Sequence, residues 1–307
     1  PLNQLCFVLA CLFSEKSILG SVVTMRLIII AADFGTLHFG KKLLTRLKLP
    51  THYIFWYILN PFIIIELTGN LHFEGVMIFF LVWSLYLLHS GKWKWAAVVF
   101  AFSVSVKLIT LIFLPLLYKK LGWKKSFSFY TIVGLITLLL FLPFYSSQFI
   151  SNYTETVALW FNNFEFNASI YYIVREIGFL ISGYNQIALI GKATALVVIA
   201  FVFWLALHRN NNSFTTLLTT MLFALSFYYF TATTVHPWYI ATLLILSVFT
   251  NYKFPLVWSF TIILSYLAYF NTNNNEDLWV LTLEYVIVYS VLIWELYFKK
   301  RSSRYTF

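Results

Sequence analysis

"LNPFIIIELTGNLHFEGV", residues 59–76, sets two carboxylates, a histidine and two asparagines within an otherwise apolar region. Asn60-Pro61 breaks the helical pattern, because proline removes a backbone donor and clashes with the preceding turn. The "ELTGN" run then makes a turn. The stretch therefore reads as two apolar segments joined by a short polar connection, with Glu66, Asn70, His72 and Glu74 around it.

The same design recurs along the chain. Its 307 residues are 61% hydrophobic, 21% aromatic and only 10% charged, against an apolar share of about 45–50% in soluble domains. Apolar runs near the roughly 20 residues that cross a hydrocarbon core succeed one another with no long polar stretch between them. The expectation is an all-α, polytopic transmembrane helical bundle forming a single integral membrane domain over residues 1–307. Candidate spans are 17–39, 51–66, 72–89, 127–145, 187–208, 213–231, 237–250, 255–270 and 278–298, nine in all. Residues 2–13 are too short to cross and read as an interfacial or re-entrant helix. Cys6 and Cys11 share one apolar stretch with no disulfide or metal spacing, so they read as buried thiols. The start at Pro1, with no basic or cleavable leader, reads as an N-terminal truncation.

The net charge of +10 would suggest nucleic acid in a soluble protein, but here the charges sort by loop. Six segments (41–48, 91–94, 119–125, 208–212, 251–253 and 299–304) hold 16 of the 21 Lys and Arg and none of the 11 acids. By the positive-inside rule these face the cytoplasm, and so does the C-terminus. The opposite loops carry Glu15, Glu66, Glu74, Glu155, Glu165, Glu176, Glu276 and Asp277 and are extracytoplasmic. The partners expected are membrane lipids and no nucleic acid.

One segment breaks the alternation. "AAVVFAFSVSVKLITLIFLPLLY", residues 96–118, lies between two basic loops and contains Lys107 and Pro115. Split at Lys107, it gives two pieces of about 17 Å, half a bilayer each. This predicts a re-entrant hairpin with a protein-buried apex. The alternative is one ordinary span with a snorkelling lysine.

Three places on the outer face could carry chemistry. The first is the opening stretch, with the alternative that its polar residues only cap helices. The second is the 145–186 loop, whose aromatics suggest interfacial amphipathic pieces. Its Arg175 suits bidentate grip on an anion, with pairing to Glu176 or another acid as the alternative. The third is "TATTVHPWYIATLL", residues 231–244, where His236 precedes a proline and could equally be an interfacial anchor. Arg26, Asp33 and Lys107 lie inside apolar runs, where ionisable groups are costly and become functional candidates by default. Arg26 and Asp33, seven apart, share a helix face, with service to one another through neighbours as the alternative. N-x-S/T matches occur at Asn152 and Asn167, and no glycine-rich phosphate loop, metal-ligand pair or serine-nucleophile motif is present.

"NPFIIIELTGNLHFEG", "AVVFAFSVSVKLITLIFLPLLY" and "VHPWYIATLLIL" together resemble the GT-C superfamily of integral membrane glycosyltransferases. The nearest likeness is to polyprenyl- or dolichyl-phosphate-mannose-dependent mannosyltransferases, including the catalytic subunit of the first GPI-anchor mannosyltransferase. Asn60, Pro61, Gly69, Asn70 and Glu74 match an Asn-Pro span and its Gly-Asn-x-x-acid turn, with Glu74 one residue late. Lys107 and Pro115 match a following hairpin, with Ser103 where glycine is common. The resemblance implies transfer of a sugar, mannose, from a polyprenyl-phosphate donor to a glycan or lipid acceptor at the extracytoplasmic face. It implies an acidic base in a first outer loop, which would lie upstream of Pro1. Lys107, Arg175 and His236 become candidates for donor-phosphate contact, with Asn70, Glu74, His72 and Glu66 as cavity wall. Such enzymes allow a divalent metal, for which the sequence shows no recognisable ligand set. The alternatives are a lipid-linked sugar transporter or flippase, which should show paired broken helices in two repeats, and a polysaccharide polymerase.

Overall fold

The computed structural model describes residues 1–14, 16–162, 164–270 and 275–298. Glu15 and the basic 299–304 segment, with the cytoplasmic assignment of the C-terminus, lie outside the described residues. The described residues form helices throughout, apart from one isolated backbone pairing of Phe166 with Thr234. The all-α expectation therefore holds.

Among the described residues, five helices are long and apolar enough to cross a membrane: Ile18–Arg46, Trp123–Phe144, Ile187–His208, Phe214–Thr231 and Leu278–Tyr297. The other four expected spans are shortened or broken. Residues 51–66 divide at Asn60-Pro61, and the Pro61–Gly69 segment meets the Glu74–His89 helix at a bend of 115°. That bent pair would bring the count to six. Pro237–Val248 and Phe254–Phe270 are shorter apolar helices with 3-10 turns. Apolar content persists through such breaks while helical length does not, so hydropathy alone counts nine.

The chain forms two compact units. One comprises Pro1–Ile150 and Val202–Met221, and the other Ser151–Phe201 with the described residues from Leu222 onward.

In the first unit, the Glu74–His89 helix packs between Ile18–Arg46 and Trp93–Val106. Small residues permit the close approach: Ala96, Ala97, Ala101 and Ser103 are fully buried. Ser84 Oγ donates to Ala96 O at 2.8 Å and Ser103 Oγ to Met77 O at 2.9 Å, tying the two helices across their backbones. In an apolar solvent such bonds and close packing replace the hydrophobic drive. Ser103, where the resemblance expects glycine, thus keeps the small size and adds a donor. On the other side, Gly35 faces Phe79, whose ring would lie 2.3 Å from a Cβ there. Phe79 belongs to an aromatic group with Phe39 and Trp83.

In the second unit, Phe254–Thr261 packs on Leu278–Tyr297. The fully buried Trp258 stacks on Phe230 at 4.9 Å and meets Tyr285 edge-on. Glu295 accepts from the backbone N–H groups of Lys253 and Phe254 at 2.8 and 3.0 Å, a carboxylate satisfying the open donors of a helix N-terminus.

Ser103→Ala should cost about 0.6–1.7 kcal/mol, the range of interhelical side-chain bonds in membranes. Ser103→Leu should cost more, by prising the helices apart. Thermal midpoints in detergent test the order; equal stability of all three proteins would show that this crossing does not depend on Ser103.

Candidate functional site

The polar turn of the first unit is built from two helix interruptions. Asn60 adopts an extended backbone, and its Oδ1 accepts from Phe62 N at 3.0 Å, capping the segment that Pro61 begins. After one turn the backbone widens into a π-helix over Ile64–Gly69, a form that concentrates at functional sites. The widening continues past it, with Asn70 N donating to Ile65 O and His72 N to Leu67 O. Leu71 is held at φ 61°, a left-handed conformation that a branched side chain adopts only under constraint.

Two residues of Ile18–Arg46 supply that constraint. Arg26 donates from Nε to Thr68 O and from Nη2 to Gly69 O, each at 3.2 Å, satisfying carbonyls at the end of the π-helix. The Asp33 carboxyl lies beside the Thr68 side chain and interacts with it. Arg26 and Asp33 are therefore not each other's partners in these contacts; they grip one turn side by side. Since they sit eight and fifteen residues into a helix about 44 Å long, the turn docks along its body, away from its first residue.

The structure brings Glu74 and Lys107 together. Glu74 opens the Glu74–His89 helix, and its side chain is 3% exposed. Lys107 sits where Trp93–Val106 stops, with extended φ and ψ of −146° and 133° before a 3-10 stretch. The sequence-expected break at Lys107 is present. Its Nζ donates to Glu74 Oε1, with 32% of the lysine side chain exposed. Among the described residues Glu74 Oε2, Asp33 Oδ1 and the Tyr57 hydroxyl are buried with no hydrogen-bond partner. Gly75 brings Asp33 Oδ1 within 3.7 Å of where its Cβ would stand. Glu66 is fully buried and accepts from Asn70 Nδ2 at 3.4 Å, while Asn70 is exposed and His72 half-buried. The opening stretch is thus more than a solvated turn: its carboxylates point inward.

The second unit holds Arg175 and His236. Three of the arginine's N–H groups are engaged, Nη1 with Glu165 Oε2 at 2.6 Å, Nη2 and Nε with Glu176 Oε1 at 2.8 and 3.1 Å. Its guanidinium lies over the Tyr172 ring, 4.4 Å from the centroid. The acid-pairing alternative is what the geometry has. Glu165 also accepts from Tyr171 and Asn185. Burial pushes its carboxyl up, but the bonds from Asn185, Tyr171 and Arg175 outweigh burial and hold it below the ordinary range.

His236 is 6% exposed. The Phe164–Phe166 backbone laces onto residues 233–235 through Phe166 N to Thr233 O and Val235 N to Phe166 O. This sets both phenylalanines against the imidazole at 5.7 and 5.2 Å, while Trp238 stacks on it at 4.5 Å. The sequence reading missed Glu284 and Tyr57, both fully buried. For Glu284 the signal was available, an acid within an apolar span. Of the two glycosylation matches, Asn152 is exposed, whereas Asn167 is 1% exposed with its amide committed to Glu284. Among the described residues no group of three or more His, Cys, Asp or Glu is placed to chelate a metal.

Comparison with known proteins bears on the first unit. Residues 2–121 match the family model described as alpha-(1->6)-mannopyranosyltransferase, N-terminal domain. The match supports a mannosyltransferase-like membrane glycosyltransferase. It takes in Arg26, Asp33, Asn60, Glu66, Asn70, Glu74 and Lys107, and stops before Arg175 and His236. No curated protein and no solved structure matches the chain.

Lys107→Met leaves Glu74 buried without its cation and should destabilise by about 3–5 kcal/mol. Adding Glu74→Gln should recover most of that loss, as a double-mutant cycle in detergent would record. For Glu165, a depressed folded value gives stabilisation present above the ordinary carboxylate range and lost as pH falls through the lowered value. Wild type should therefore melt above Glu165→Gln at neutral pH, with the two curves converging in acid.

Proposed function

We propose that this chain transfers a mannosyl group from a polyprenyl-phosphate carrier to a glycan or lipid acceptor at the extracytoplasmic face, on a GT-C-like helical scaffold. The observation that carries the reading is the Lys107–Glu74 pair at two helix breaks, inside the segment that matches a mannosyltransferase domain.

In such a transfer the bond from sugar C1 to phosphate oxygen breaks and its electron pair leaves with the phosphate. A bond forms between C1 and the acceptor oxygen, and the acceptor's proton passes to a carboxylate. A preorganised cation at the departing phosphate is worth most where water is excluded. Lys107 fits that role: one carboxylate holds its ammonium at the break, and a third of its side chain remains accessible. A donor phosphate would exchange with Glu74 for it. Asn70, His72, Glu66 and Glu74 would form the wall beside it. In the second unit His236, fixed by Trp238 and two phenylalanines, is a separate candidate for phosphate contact. Arg175, already balanced by two carboxylates, would order the outer loop.

The rival reading is transport of a lipid-linked sugar: transporters also use discontinuous helices, but in corresponding positions of two repeats, whereas the breaks before Glu74 and at Lys107 lie in one unit. Proteoliposomes holding the full-length protein and polyprenyl-phosphate mannose with labelled sugar distinguish the two. Label should pass to an added mannoside acceptor. Lys107→Met with Glu74→Gln, and separately His236→Ala, should lower the rate about 10²–10³-fold in folded protein. Movement of intact donor across the bilayer with no transfer would replace the enzyme by a flippase.

A further inference from the structure

We infer that Tyr57 is a positioning residue for donor binding: its hydroxyl takes over the Glu74 carboxylate when a phosphate takes Lys107. The inference rests on the reading of Lys107 as the phosphate contact, and it adds what becomes of the carboxylate that loses its cation.

Tyr57 lies in the short helix Phe55–Ile58, three residues before Asn60. Ile54 and Tyr57, one helical turn apart, face inward and are fully buried, while Phe55, Trp56 and Leu59 stay exposed. The turn ahead of it, Thr51–Ile54, packs on Ile18–Arg46. A phenol is thereby fixed wholly inside the first unit, with its hydroxyl buried and without a hydrogen-bond partner among the described residues. Buried tyrosine hydroxyls ordinarily find one, because an unmade bond there is costly.

The surroundings account for the exception. The phenol is within Coulombic reach of both the Asp33 and the Glu74 carboxylates. Glu74 Oε2 and Asp33 Oδ1 are likewise buried without hydrogen-bond partners, and Asp33 Oδ1 stands against Gly75, the residue next to Glu74. One donor and two open carboxylate oxygens, from three segments, thus border the same buried region. While Lys107 Nζ donates to Glu74 Oε1, the Glu74 charge is balanced. Once a phosphate draws the ammonium away, Glu74 is the carboxylate whose compensation is lost; Asp33 keeps its contact with Thr68. With its side chain only 3% exposed, Glu74 is too enclosed for bulk water to replace the cation. A hydroxyl that donates to an ionised carboxylate makes one of the stronger hydrogen bonds, and more so in a water-poor interior. Tyr57 therefore lowers the cost of freeing Lys107 and holds Glu74 back from competing with the phosphate.

Tyr57→Phe removes the hydroxyl and keeps the ring. The full-length protein is assayed in proteoliposomes over a range of polyprenyl-phosphate mannose, and the ligand-free protein is melted in detergent. The variant should melt at or above wild type, since a buried hydroxyl with no partner is gone. Its donor KM should rise about tenfold or more with kcat within about threefold, the pattern of binding lost equally from ground and transition states. In a Glu74→Gln background, which has no charge to rehouse, the same change should leave KM within about twofold. Unchanged KM on Tyr57→Phe, an equal rise in the Glu74→Gln background, or melting well below wild type would overturn the inference and leave the proposed function standing. Wild type that transfers no sugar would overturn both.

Discussion

A lysine and a glutamate 33 residues apart meet in the first unit because two helices stop where they would otherwise continue. Trp93–Val106 ends with Lys107 extended, and Glu74 begins a helix that turns 115° from the segment before it. Burying a carboxylate costs several kcal/mol unless a cation reaches it, so an ionised Glu74 at one break requires Lys107 at the other.

The turn ahead of Glu74 shows how such a break is stabilised. An asparagine caps the restart at Pro61, a π-helix opens the backbone, and Arg26 takes up two of the carbonyls left unpaired. In hydrocarbon, non-helical backbone is tolerated only where protein or a cavity satisfies it. Two ionisable residues in an apolar helix are thereby accounted for structurally, with Arg26 still exposed at the turn and Lys107 partly accessible beside it.

The second unit follows another economy. Between the helices Ser147–Asn162 and Ile170–Ser182, Asn167 bonds through backbone N, side-chain amide and carbonyl to Glu276, Glu284 and Tyr285. Arg175 and Glu165 fasten the neighbouring helix in the same way. Carboxylates dominate both places, which suits cations better than phosphate.

Much of the architecture was legible from local rules. The apolar runs announced a helical membrane protein, Asn60-Pro61 announced a break, and Lys107 in a span of the wrong charge parity announced another; each depends on backbone sterics or solvation of a single segment. Whether a run makes one long helix is decided by whether neighbours satisfy an interrupted backbone, which is why four expected spans are short or bent. Partner choice is likewise a property of the packed chain. Sequence could nominate Arg26, Asp33, Glu74, Lys107 and Arg175 as costly charges, but only tertiary structure paired Lys107 with Glu74, turned Arg26 and Asp33 onto Thr68 and Gly69, and gave Arg175 to Glu165 and Glu176. Those contacts join residues up to 43 positions apart, and no local periodicity encodes them.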